Sequence, residues 1–223
     1  MALDSVGAYS DMFWTGERWT HLRDTGAKDG YISAELPLDM FRAAFSGRQL
    51  GVAAETLSYR LGGGQGTADM KVAAISLLHD IPVRPNTPGF DRLYPEAQSS
   101  PHKSYFDLIS QLWKVRDQFG AKEAKKLFYW NNQKYVRVSP EKCYATLFQH
   151  PKNGVLAFIS NLCQDARTVN VHLQLEKLGL LGTKIDVFNV LTEEAVDMTA
   201  DGKISMPLGS EAWVYVWVRP NEG

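Results

Sequence analysis

From about residue 127 onward, apolar positions fall into short runs separated by turn signals. Phe128–Val138, Cys143–Gln149, Gly154–Ser160, Val169–Leu175, Lys184–Asn189, Lys203–Met206 and Ala212–Val218 all read as strands. Pro151-Lys152-Asn153-Gly154 and Asp201-Gly202 punctuate them with the residues that tight turns favour. The last run alternates Trp213, Tyr215 and Trp217 with Val214, Val216 and Val218. That is the period of a strand with two different faces. Many short strands at this spacing predict an antiparallel β-sandwich over 127–223.

Upstream the pattern changes. Ser5–Ser10 and Gly51–Ala54 are small-residue runs that read as buried strands, ending near Asp11 and Glu55. Other segments carry apolar residues at helical spacing. Pro37-Leu38-Asp39 opens a helix through Phe45, with Asp39 as N-cap and Gly47 as the stop. Thr67 caps a second helix carrying Met70, Ala73, Ala74, Leu77 and Leu78. Ser104 and Asp107 resemble a capping box, and the helix they open sets Tyr105, Leu108, Ile109, Leu112, Val115 and Phe119 on one face. Between these helices Pro82, Pro85 and Pro88 forbid helix and predict an extended crossing segment.

Strand and helix alternating in this way predict βα units of a parallel sheet. A closed (β/α)8 barrel takes about 250 residues, so 1–126 holds only a partial (β/α) TIM barrel segment. The charged stretch Lys122–Lys126 marks the boundary, giving an expected division into 1–126 and 127–223. The fold class expected is therefore α/β plus all-β.

Composition narrows the partners. With 223 residues, 44% hydrophobic, 22% charged and a formal net charge of -1, the chain offers no field that gathers nucleic acid or an anionic membrane. No apolar run reaches the roughly 20 residues of a membrane helix. Met1-Ala2-Leu3-Asp4 lacks the basic and apolar regions of a signal peptide. Cys143 and Cys163 share no zinc-site spacing, so no metal is expected. A hairpin through Pro151–Gly154 points both to one face a diagonal step apart, which admits either a disulfide or two reduced thiols.

The candidate chemistry is acidic and aromatic. Gly62-Gly63-Gly64-Gln65-Gly66 lacks the Gly-Lys-Ser/Thr of a phosphate-binding loop and reads as a flexible loop. Asp11 and Glu55 are placed at strand ends, where sheets of this kind bind ligands. Glu17 follows in an aromatic loop with Phe13, Trp14 and Trp19, and Arg48 precedes the second strand. Carboxylates that grip hydroxyls or move protons, beside rings that stack on a sugar face, are what a carbohydrate site needs. The same acids equally suit loop capping or pairing with Arg18, Arg23 or Arg48. Glu55 sits in an otherwise apolar run, and a carboxylate there is costly unless something requires it. His79-Asp80 reads as capping at a helix end, and His21, His102, His150 and His172 as surface residues.

Several words of the sequence are similar to large bacterial glycoside hydrolase-like proteins of the family 123 type. They are Asp11-Met12-Phe13-Trp14-Thr15-Gly16-Glu17, Leu36-Pro37-Leu38-Asp39-Met40-Phe41-Arg42, Gly47-Arg48-Gln49-Leu50-Gly51 and Leu77-Leu78-His79-Asp80-Ile81-Pro82. Val155–Leu162 and Asp186–Thr192 resemble the antiparallel domain that follows many glycosidase barrels. The resemblance covers nearly the whole chain. It implies a carbohydrate substrate, no cofactor, and a parent protein of the periplasm or cell exterior. It also implies that the family's catalytic acid lies in an Asp-Glu pair on an earlier barrel strand, a dipeptide this chain lacks.

Two functional expectations follow. In the first, the chain is the C-terminal part of a glycoside hydrolase-like protein, not catalytic alone. Asp11, Glu17 and Glu55 then line the sugar site, with Trp14 as stacking platform and Arg48 as clamp. In the second, it is a non-catalytic carbohydrate-binding or structural module, with Trp213, Tyr215 and Trp217 as a platform or as the inner face of a sandwich. A barrel remnant leaves unpaired strand edges, which predicts self-association through the open side and a protease-resistant core from about Lys126.

Overall fold

A computed structural model of the chain describes residues 12–14, 38–47, 53–57, 73–84, 101–163 and 165–221. The chain forms two compact units, Met1–Ile109 and Ser110–Gly223.

In the first unit, strands β1 (Met12–Trp14), β2 (Ala53–Leu57) and β3 (Val83–Arg84) lie side by side in that order, and both pairings are parallel. β3 is the extended piece held between Pro82 and Pro85. Helix α1 (Leu38–Phe45) follows the expected span, with Asp39 inside its first turn and Gly47 in the left-handed region at φ 77°. Residues 73–76 are helical and tighten into a 3-10 turn at Leu77–His79. Asp80, at φ 57°, closes that turn through its backbone N–H on the Leu77 carbonyl. Phe41, Ala54, Ile75 and Ile81 make a small core from the helix, the strand and the turn. Ser5–Ser10, the expected first strand, and the Thr67 cap lie outside the described residues. Met12–Trp14, expected in a loop, is strand, in keeping with the strand preference of its aromatic pair.

Helix α2 (Pro101–Phe119) starts earlier than the Ser104 capping box suggested. Proline has no N–H to leave unsatisfied and its fixed φ suits a first helical position, so Pro101 opens the helix. At the other end Gly120 takes φ 76°, its N–H bonding Asp117 O while Ala121 N–H reaches Arg116 O. That paired closure is the Schellman arrangement that glycine favours.

The second unit holds two antiparallel sheets. The larger, with order β4-β6-β7-β11-β9, is built from Lys125–Leu127, Cys143–His150, Gly154–Asn161, Trp213–Pro220 and Ile185–Asn189. The smaller runs β10-β8-β5, from Lys203–Leu208, Arg167–Leu173 and Val136–Ser139. Their inward side chains form one core, with Ala145, Leu147, Val155, Ala157 and Ile159 meeting Val169, Val171 and Ile204.

Two features correct the sequence reading, and a third decides an alternative it left open. First, Phe128–Val138 is not a continuous strand, because β4 ends at Leu127 and β5 starts only at Val136. Buried Asn132 donates from Nδ2 to Leu127 O at 3.1 Å and Ala145 O at 2.8 Å, folding 128–135 into turns. Asn131-Asn132 is a turn signal inside an aromatic run, and the turn wins. Second, Val214, Val216 and Val218 face the smaller sheet, while Trp213, Tyr215 and Trp217 lie on the opposite face. Small branched residues suit the gap between two sheets about 10 Å apart. Third, Cys143 and Cys163 are both free and buried.

The C-terminal half of α2 covers part of that aromatic face. Arg116 donates to the Tyr215 hydroxyl at 2.7 Å and lies over the Phe148 ring at 4.7 Å, and Phe119 meets Trp217 edge-on at 5.5 Å. Gln111 Nε2 donates to Leu191 O at 3.2 Å, and Asn153 Nδ2 to Phe119 O at 2.9 Å. A resistant proteolytic fragment should therefore begin at or before Ser110, not at Lys126. Mass spectrometry after limited trypsin digestion reads this directly. A stable fragment that has lost 110–119 refutes it.

Candidate functional site

The first unit places two of the candidate residues on neighbouring strands. Glu55 is the middle residue of β2, and the parallel register sets it beside Trp14, the last residue of β1. Backbones so paired lie about 4.8 Å apart. Ala54, next to Glu55, is buried, so β2 enters the small core from one face. Asp11, Glu17 and Arg48 lie outside the described residues, as do the side chains of Trp14 and Glu55.

His79 is a core residue of this unit. Its ring packs against Phe41 with centroids 4.7 Å apart, and Nδ1 lies 2.8 Å from the Ile75 carbonyl. That contact requires the proton on Nδ1. Burial pushes the pKa down to about 4, against the upward pull of the Ile75 bond, and the Arg42 charge lowers it further. The group is neutral at physiological pH. His79-Asp80 thus divides its work: the histidine fills the core and the aspartate backbone ends the turn.

In the second unit the aromatic row does not form an open platform. Trp213 is buried at 7% exposure and Tyr215 is fully buried. Trp217 is half-buried, with Nε1 donating to Asn153 O at 2.7 Å. Its ring meets Phe119 and Phe188, each at 5.5 Å, and Arg219 lies over both Phe188 and Trp217 at 5.0 and 5.7 Å. A sugar stacking there has to displace that guanidinium, which also pairs with Asp186 at 3.8 Å.

Cys143 is not a poised nucleophile. Burial raises the Cys143 thiol to about 11, and neighbouring Cys163 adds to the rise. Among the described residues no group of three or more His, Cys, Asp and Glu side chains is placed to hold a metal ion.

Sequence reasoning passed over Asn161, which ties three corners of the second unit together. Its Nδ2 donates to Gly209 O at 2.7 Å and Asp165 O at 2.9 Å, and its Oδ1 accepts from Cys163 N–H at 2.9 Å.

Comparison with known proteins places these units. No curated protein matches the chain. Two solved structures share its fold: a GH27 β-L-arabinopyranosidase from Geobacillus stearothermophilus and an alpha-amylase from Malbranchea cinnamomea. The first is 13% identical with a TM-score of 0.56, covering 97% of this chain and 46% of that one. The second is 12% identical with a TM-score of 0.54, covering 96% of this chain and 47% of that one. The chain thus spans less than half the length of either, and at such identity the likeness is one of fold. Residues 109–200 match the family model described as Glycoside hydrolase 123, C-terminal domain. Most of the two-sheet second unit, from residue 109 to residue 200, is accordingly similar to a glycoside hydrolase 123 C-terminal domain.

Proposed function

We propose that the chain is the C-terminal portion of a glycoside hydrolase-like protein that acts on carbohydrate O-glycosidic bonds, and that it is not catalytic alone. The observation that carries this reading is the order of the two units. A parallel strand set with Glu55 beside Trp14 precedes a two-sheet unit that is similar, over residues 109–200, to a glycoside hydrolase 123 C-terminal domain. In this reading the first unit is the closing segment of a (β/α) barrel, and the second is the domain that follows it in the chain. Asp11, Glu17 and Glu55 line the sugar site, Trp14 gives a ring for the apolar sugar face, and Arg48 clamps hydroxyls or a neighbouring acid. The lack of an Asp-Glu pair supports placing the proton-transferring acid elsewhere in the parent protein.

The test uses the full-length protein on a confirmed glycan substrate. Asp11→Asn and Glu55→Gln should each lower kcat/KM at least about tenfold, roughly the effect of losing one charge-assisted hydrogen bond in the transition state. The 223-residue chain by itself should show no turnover of the same substrate. Unchanged rates in both variants overturn the site, and turnover by the isolated chain overturns the claim that it is incomplete.

A further inference from the structure

The outer face of the smaller sheet carries a groove of about 760 Å³ that the catalytic reading does not use. Inward positions Val138, Val171 and Ile204 belong to the core, so the alternate positions face outward. Register then aligns them in two rows across the strands. Arg137 lies opposite His172, which lies opposite Lys203. Ser139 lies opposite Asn170, which lies opposite Ser205. The bridge of Met198 to Ile204 adds the 197–199 segment along β10, with Asp197 and Thr199 lining the groove.

Part of this surface is already satisfied and part is not. Asp201 pairs with Lys203 at 2.7 Å and accepts from Thr199 Oγ1 at 2.5 Å, while its carbonyl meets His172 Nε2 at 3.0 Å. These bonds hold the Asp201 carboxyl down to about 2 and cancel the Lys203 charge locally. Among the described residues Arg137 and Asp197 have no ion-pair partner, and the Asn170 amide makes no hydrogen bond. One free cation, one free anion, an amide and two serine hydroxyls therefore line a groove of no net charge.

That balance decides the ligand class. A site for a phosphate, sulfate or uronate requires an excess of cationic donors. A site for nucleic acid requires a basic stripe with large rings for bases, and no Phe, Tyr or Trp lines this groove. A neutral polyhydroxylated ligand presents hydroxyls that both donate and accept, the chemistry that a mixed Arg, Asp, Asn and Ser surface complements. We infer that the outer face of β5, β8 and β10 is a binding groove for neutral oligosaccharide. It shares the carbohydrate ligand class of the proposed function but not its residues.

The intact 223-residue chain is titrated by calorimetry with neutral hexasaccharides of α- and β-linked hexose and of N-acetylhexosamine. Polygalacturonate and a sulfated galactan are run alongside. Asn170→Ala, Arg137→Ala and Asp197→Ala are exposed-site variants, and each melting profile is checked against the parent chain. The expected result is binding of at least one neutral hexasaccharide, weakened about tenfold or more in each variant. Binding of anionic polymers alone, binding of nothing in the panel, or neutral binding untouched by all three variants overturns the inference. In the full-length protein the same variants should leave turnover of a short aryl glycoside unchanged. Loss of the groove and loss of the Asp11 and Glu55 site are therefore read separately.

Discussion

Replacing Asn161 by alanine should destabilise the second unit by about 4 kcal/mol, the largest single-site effect expected in the chain. The residue is fully buried at the end of β7. Its Nδ2 serves the carbonyls of Asp165 and Gly209, with Leu208 O also within 3.3 Å. Its Oδ1 takes the Cys163 N–H and lies 3.7 Å from the Cys143 thiol. The backbone of Asn161 is meanwhile fixed on Ala212 O at 2.8 Å. Alanine leaves the buried Cys163 N–H without its acceptor, costing about 1–3 kcal/mol, and removes the amide's bonds to the Asp165 and Gly209 carbonyls, about 1 kcal/mol each. Asp165 and Gly209 are exposed, so water can reach their carbonyls, whereas Cys163 is buried and its N–H has no such substitute. Asn161→Asp keeps the acceptor but loses both donors and buries a charge, so it should be no milder than alanine. The denaturant midpoint of the intact chain measures this. A loss below about 1 kcal/mol in Asn161→Ala shows that the network is not what joins these corners.

Asn161 also illustrates what a sequence shows and what it withholds. The Ile159-Ser160-Asn161-Leu162 run is recognisable as a phrase of this domain type, yet nothing local says that its amide reaches residues 165 and 209. The strands were legible where alternation and turn residues agreed. Cys143–His150 and Gly154–Asn161 lie within a residue of the runs read from the pattern. Gly154 shows why that turn was so clear. At φ 80°, a Cβ there meets Val218 O at 2.3 Å, so only glycine fits.

Alternation correctly separated the two faces of β11 but did not say which one meets the second sheet. That depends on α2, a helix contributed from well upstream in the chain. For the candidate site, Glu55 stood out as a carboxylate in an apolar run, and the register beside Trp14 became visible only once the strands were paired. Arg137 and Asn170 gave no signal, because polar residues alternate on every solvated strand. Only the alignment of three strands makes them a row.

The second large effect is a dependence of the first unit on pH, set by His79. In the unfolded chain this imidazole titrates near 6.5, whereas in the folded core burial lowers it to about 4. A depressed folded pKa means that protons bind the unfolded state first as pH falls. The contribution of His79 is therefore fully present above pH 6.5 and is lost progressively between 6.5 and 4. The difference in pKa corresponds to about 3 kcal/mol, a large share of what holds a small domain together. Burial opposes protonation most, the Ile75 carbonyl bonded to Nδ1 favours it, and the Arg42 charge opposes it again, so the balance stays with the neutral ring.

In His79→Gln the amide can still donate toward Ile75 O but does not titrate, so the variant should lack this acid-side loss. Thermal melts of both proteins at steps between pH 7 and pH 4 isolate the term, because other titrating groups contribute equally to each. The parent should fall relative to the variant by about 3 kcal/mol across that interval. Parallel curves for the two proteins, or an imidazole resonance titrating near 6.5 in the folded chain, show that His79 is not held neutral in the core.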